Sequence, residues 1–248
     1  MIKKIALLFS AFASFCAAAQ QTKITQTVGR TWLGYFNQTR FSNHWGIWAE
    51  AQLRTKEAMV QGLSQSILRA GLTYYVSDNA KLTAGYAFVN DFPATGHKNI
   101  SVPEHRPWQQ IQWHTKYGRK RMMQWFRLEE RFKRKVKNDD ELAEDYNFTW
   151  RARYNFWYEV PLGKKEIQKG DLSFILNDEV HISFGKNVVY NYFDQNRFFA
   201  GFKYQVSNTT NLQFGYMNQF LQLPSGNNYR SVHTLRLFLF QNIDARQR

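Results

Sequence analysis

Long apolar runs are missing from most of this chain. Beyond residue 19 no stretch reaches the roughly 20 consecutive apolar residues that a membrane-crossing helix requires, which excludes helical insertion of that part. Cysteine is almost absent, with one residue in 248, Cys16. It lies in an N-terminal leader, so the rest of the chain can form no intrachain disulfide and no cysteine-based metal site. Glycine-rich phosphate loops and calcium-loop spacings are lacking too. No catalytic motif is present, and neither a cofactor nor a metal is expected.

The leader itself is readable. Lys3 and Lys4 supply a positive start, residues 5–15 an apolar core, and Ala17, Ala18 and Ala19 the small-residue pattern of a signal-peptidase site. Cleavage after Ala19 is expected, leaving 20–248 as one domain. Bulky Phe15 ahead of Cys16 argues against lipidation of that cysteine.

Aromatic residues make up 17% of the chain, yet the mean hydropathy is only −0.55. A transmembrane barrel reconciles the two, because its strands alternate apolar-out with polar-in. The formal net charge of +14 implies basic loops and a basic interior, attracted to anionic headgroups or solutes. Export argues against a nucleic-acid partner.

Period-2 alternation between turn signals predicts strands over about 29–41, 45–55, 64–76, 80–90, 108–117, 121–135, 146–161, 171–184, 196–206, 211–222 and 230–241. Short connections (42–44, 77–79, 118–120, 207–210) alternate with longer ones (56–63, 91–106, 136–145, 185–195, 223–229). Outer-membrane barrels have this layout, with short periplasmic turns and longer outer loops. Such barrels normally hold an even number of strands. The expectation is therefore all-β: a closed antiparallel up-and-down transmembrane barrel of about 12 strands, with 10 as the alternative. A twelfth strand would have to draw on residues 20–28.

Each strand has two unlike faces. Over 146–161, Phe148, Trp150, Tyr154, Phe156 and Tyr158 share one side, and Arg151, Arg153, Asn155 and Glu159 the other. Over 171–184 the apolar side carries one exception, Asp178. The aromatic faces are expected to meet lipid, with rings at the interfaces, and the polar faces to line the lumen. The candidate lumen residues are Glu50, Arg54, Arg127, Glu129, Arg131, Arg151, Arg153, Glu179, His181 and Arg197. Mixed acids and arginines permit salt-bridge ladders between strands. Their bland role is to fill and brace the barrel.

Three constellations invite chemistry. Glu104, His105 and Arg106 form a cluster where an outer loop should meet a strand. An acid–base pair of Glu104 and His105 is opposed by the pleat, which points neighbours to opposite faces. Glu179 and His181 share a face, with Ser183 two residues on and His114 on the same inner wall; a metal site or a hydrolase dyad there competes with simple wall hydrogen bonding, which is the favoured reading. Asp194, Gln195, Asn196 and Arg197 read as a ligand-gripping loop or as turn chemistry.

The runs Glu104-His105-Arg106-Pro107-Trp108-Gln109-Gln110, Arg127-Leu128-Glu129-Glu130-Arg131-Phe132, Asn191-Tyr192-Phe193-Asp194-Gln195-Asn196-Arg197-Phe198 and Gln213-Phe214-Gly215-Tyr216-Met217 resemble a bacterial family, the domain of unknown function 2490. The resemblance covers roughly residue 25 to the C-terminus. It implies an outer-membrane β-barrel and carries over no activity and no site residues. The chain departs from the usual aromatic ending of such barrels, closing on Asp244-Ala245-Arg246-Gln247-Arg248.

The expected function is therefore a narrow pore or a structural or accessory component of a Gram-negative envelope, with outer-membrane lipids and the barrel-assembly machinery as partners. A barrel enzyme acting on lipid or lipopolysaccharide is one alternative, and a soluble periplasmic ligand-binding barrel is another. An enzyme is the less favoured of these readings.

Overall fold

A computed structural model describes residues 24–56, 62–94, 97–163 and 167–246. The leader at 1–19 lies outside the described residues. The chain runs β1 (Ile24–Arg40), β2 (Trp45–Thr55), β3 (Leu63–Tyr75), β4 (Ala80–Asp91), β5 (Val102–Tyr117), β6 (Lys120–Val136), β7 (Leu142–Pro161), β8 (Leu172–Phe184), β9 (Phe193–Gln205), β10 (Thr210–Gln222) and β11 (Asn228–Asp244). Each strand pairs antiparallel with its chain neighbours, and the sheet closes on itself into a barrel.

Eleven strands form it among the described residues, one for each run readable in the sequence. The described part of 20–28 forms no twelfth strand; from Ile24 onward it lengthens β1. An odd number of hairpin-linked strands leaves the first and last pointing the same way. Closure is accordingly parallel, with β1 and β11 in register from Ile24↔Asn228 to Arg40↔Asp244. Parallel bonds are slanted and slightly weaker per residue, but this seam runs the full length of both strands.

Several strands start earlier than the pattern suggests, and the reasons are local. β5 begins at Val102 and takes in Pro103 and Pro107. Both prolines lack the N–H that a ladder needs. They pair with Asn90 and Tyr86 of β4, while the β6 register runs to His105↔Phe132 and resumes at Trp108↔Glu129. β9 begins at Phe193, where its register against β8 slips between His181 and Ile182.

The outer face is a sheath of exposed apolar side chains, among them Leu33, Leu68, Leu72, Phe202, Leu235 and Leu237. Rings stand at both of its ends and also at mid-strand, as Tyr86, Tyr154 and Tyr216 do. At the short-turn end Trp45 packs edge-on against Tyr74 (5.1 Å). At the other, Phe132 meets Phe148 (4.8 Å) and Phe220 stacks on Tyr229 (5.3 Å). Asp178 and Glu130 interrupt the sheath; Asn196 Nδ2 donates to Asp178 (2.8 Å) and Gln109 Nε2 to Glu130 (3.4 Å).

The interior differs from the expected polar lining. It holds large rings as well as charges: Trp32, Phe36, Trp48, Trp108, Phe199 and Phe238 are all buried in one cluster. Glycines on the inward faces of neighbouring strands make the room. A Cβ on Gly201 would strike the carbonyl oxygen of Phe214 and stand 2.5 Å from the Phe199 ring and 2.9 Å from Gly215 Cα. Gly201→Val is expected to cost about 1–3 kcal/mol or more through overpacking. Urea unfolding in detergent micelles would read this as a lowered midpoint; an unchanged midpoint would mean that the ring does not rest on the glycine.

Candidate functional site: the barrel interior

The inward residues form three tiers, set by the pleat and visible on single strands. Descending β5 from its long-loop end, the inward side chains are Glu104, Arg106, Trp108, Gln110, Gln112 and His114. Charge lies nearest the long loops, rings lie in the middle, and amides and a histidine lie toward the short turns. β7 likewise carries its arginines, Arg151 and Arg153, toward the long-loop end, but there the amide of Asn155 comes before the ring of Trp157.

The charged tier contains a file of alternating sign across the barrel. Glu50 of β2 accepts from Arg69 Nη1 of β3 at both carboxylate oxygens, at 2.6 Å each, and from Gln52 Nε2 at 2.6 Å. Arg69 Nη2 reaches Glu129 of β6 at 3.3 Å. Glu129 also accepts from Arg153 Nη1 of β7 at 2.6 Å, and Arg153 Nε donates to Glu179 of β8 at 2.7 Å. Glu179 ends the file against Arg197 of β9 at 3.5 Å. A second group starts from Glu104, gripped two-handed by Arg106 (2.5 and 3.0 Å) and by Arg131 (2.6 and 3.0 Å). Arg131 stands 3.9 Å from Asp194, which pairs closely with Arg151. Bidentate guanidinium–carboxylate pairs fix geometry as well as charge.

Glu50, Arg54, Arg127, Glu129, Arg131, Arg151, Arg153, Glu179, His181 and Arg197 all lie on the inner face, and most touch one another. The supposed loop cluster is corrected. Glu104, His105 and Arg106 lie inside β5, because that strand starts at Val102 rather than near 108. Glu104 and Arg106 are buried inside. His105 points out, in contact with the Tyr86 hydroxyl and packed on Phe88 (5.7 Å) and Tyr146 (5.7 Å). Glu104 and His105 therefore cannot act as a pair.

Asp194 also moves from the expected loop to a strand. Against β8, His181 faces Gln195 while Ile182 faces Phe193, which leaves Asp194 as the bulged residue. A bulge re-aims side chains, and here Asp194 and Gln195 are both buried. Ser183 Oγ donates to Asp194 at 2.7 Å. His181 accepts at Nδ1 from Gln195 (3.3 Å). Its Nε2 stands 3.0 Å from Glu179 but outside hydrogen-bond geometry. The serine proton is thus directed to a carboxylate rather than to the imidazole, and these three residues do not form a nucleophile–base–orienter relay. Among the described residues no group of three or more His, Cys, Asp and Glu could hold a metal.

The rings beneath the charges act as a shelf. Arg69 and Arg127 lie over Trp108 at 5.5 and 4.4 Å. Arg127 and Arg153 lie over Trp125 at 4.9 and 5.2 Å. Arginine suits such stacking because its guanidinium is planar and weakly hydrated.

A cavity of about 850 Å³ occupies the interior. Arg40, Tyr75 and Asp244 line it near the short turns, and Asp91, Phe92 and His97 near the long connections. Its walls carry fifteen arginines and lysines against six aspartates and glutamates. Arg40 also ties the short-turn rim together through Asp78 (2.6 Å) and the carbonyls of Asn43 (2.5 Å) and Ser42 (3.2 Å). That hydrogen bond and the guanidinium charge hold the Asp78 carboxyl below the usual carboxylate range.

These features define a class: a closed β-barrel, apolar outside, with a cation-rich and aromatic-floored interior. The chain belongs to the family described as "Protein of unknown function (DUF2490)", whose model matches residues 29–230. An uncharacterized protein of Methylorubrum extorquens is 26% identical over 248 residues, covering 96% of this chain and 99% of its own length. No solved structure matches the chain.

Proposed function

We propose that this protein is an integral barrel of a bacterial outer membrane and acts as a narrow, passive conduit that favours anionic solutes. The apolar sheath with rings at both ends supports a lipid environment. In that setting the membrane lipids and the assembly machinery for such barrels are its partners. The observation that carries the conduit is the cavity, lined at both rims and richer in cations than in acids. Pore walls of one dominant sign raise the local concentration of the opposite ion and set selectivity.

Single-channel recording of the refolded protein in a planar bilayer tests this. A small conductance with anion preference is the expected result. Lys81 provides the charge probe. It is buried, makes a close hydrogen bond with Gln38 and has no acidic partner among the described residues. Lys81→Gln should therefore lower the anion preference without breaking an ion pair. Insertion without current would favour a second reading, a plugged structural barrel. The acid–base file that crosses the interior from Glu50 to Arg197 supports that alternative.

A further inference from the structure

We infer that Trp32, Arg54 and Arg236 form a discrete binding site for a small free oxyanion of the phosphate type inside the barrel. Trp32 on β1 is the Cα partner of Arg54 on β2 and of Arg236 on β11, so the three stand side by side on adjoining inner walls. The Arg54 guanidinium lies 3.7 Å from the Trp32 ring, and Arg197 approaches that ring at 5.0 Å. Arg236 lies over Phe199 at 3.5 Å and near Phe238 at 4.8 Å. Stacking on a ring holds the guanidinium plane in place, and Trp32, Arg54 and Arg236 all line the cavity from which an anion would reach them.

The donors of this wall outnumber its acceptors. Arg54 spends its two terminal nitrogens on Gln65 (2.6 Å) and Gln52 (3.0 Å), and Arg236 spends one on Gln213 (3.3 Å). Neither arginine has a carboxylate partner among the described residues. Glu50 is already taken by Arg69, and Glu179 by Arg153. Three buried N–H groups then have no acceptor in the protein: Trp32 Nε1, Arg54 Nε and Arg236 Nε. Trp32 is 3% exposed and Arg236 8%. An unsatisfied buried donor is costly, more so when charged. An oxyanion presents only acceptors and carries the sign that the excess arginines require. The enclosing wall bars a lipid phosphate, which would have to bring its acyl chains into the lumen.

The inference deepens the conduit reading but rests only on the barrel interior. Equilibrium dialysis of radiolabelled inorganic phosphate against the refolded full chain in micelles, at constant ionic strength, tests it. Saturable binding of one phosphate per chain is expected. Arg54→Gln and Arg236→Gln should each weaken it about tenfold or more, the effect of losing one charged hydrogen bond. Arg54→Lys should weaken it as well, because lysine keeps the charge and loses Nε. Lys98→Gln, an exposed loop change of equal charge, should leave it unaltered. Non-saturable uptake, equal loss in Lys98→Gln, or full retention in both Arg54 variants would overturn the site. If a variant fails to fold, the wild-type chain still decides: phosphate must raise its unfolding midpoint above that in chloride, and no rise defeats the inference. Binding in micelles without current in bilayers would retire the conduit and keep the site. Current without saturable binding would do the reverse.

Discussion

Replacing Glu129 with glutamine is expected to cost about 3–5 kcal/mol of stability, the range for breaking a buried ion pair from one side. Glutamine has nearly the same shape, so packing is kept and only the charge is lost. That charge is the meeting point of four arginines. Arg153 stands at 2.6 Å, Arg69 at 3.3 Å, and Arg106 and Arg127 at 4.0 Å. Glu129 itself is fully buried, so solvent cannot take over its role. Without it the guanidiniums repel one another across a region of low dielectric. Urea unfolding in micelles, followed by circular dichroism, would measure the loss.

Arg127 makes the test specific. Its Nε donates to Gln110 at 2.8 Å, and its nearest acid is Glu129 at the 4.0 Å limit. Arg127→Gln alone should cost far less than the Glu129 change, because it removes one cation from a site with too many. The double variant should be more stable than Glu129→Gln alone, with a coupling of about 0.5–3 kcal/mol, as contacting groups show. Simple additivity of the two losses would mean that charge balance does not hold this tier together.

The faces of the strands were legible in the sequence because parity is a local property. Arg151, Arg153 and Glu159 share a side with Asn155 whatever the rest of the barrel does. The pairing was not legible. Arg69 and Glu129 meet from 60 residues apart, and only the shear of the closed sheet brings them level. The inner rings escaped notice for another reason. Trp48, Trp108 and Phe199 have the parity of Glu50, Arg106 and Arg197, so a reading tuned to polar-in and apolar-out passes over them. The usable sign was glycine, since Gly71↔Gly85 and Gly201↔Gly215 are paired on inward positions and leave space for a ring. Pro103 and Pro107 hid the start of β5, and the bulge at Asp194 hid that of β9. Each breaks the pattern by which a strand is recognised.

Leu237→Arg is expected to separate a lipid-embedded barrel from one bathed in water. Leu237 lies near the middle of β11, 41% exposed on the outer face, and pairs with Phe214 of β10 and Leu33 of β1. Its neighbour in sequence, Arg236, points inward and is buried. In a bilayer the new guanidinium would sit in hydrocarbon and cost about 2–4 kcal/mol, as charged substitutions at the midplane of such barrels do. On a soluble barrel the same side chain would extend into solvent and change stability within about ±0.5 kcal/mol. Reversible unfolding from lipid vesicles gives the first number, and the fraction of protein recovered in the membrane reports it in cells. The magnitude should fall toward the ends of the strand, because the penalty follows depth. Arginine in place of Leu33, Leu235 and Leu239 would trace that profile. A flat profile near zero would place the apolar sheath against something other than lipid, and the soluble ligand-binding barrel would then be the better account of this fold.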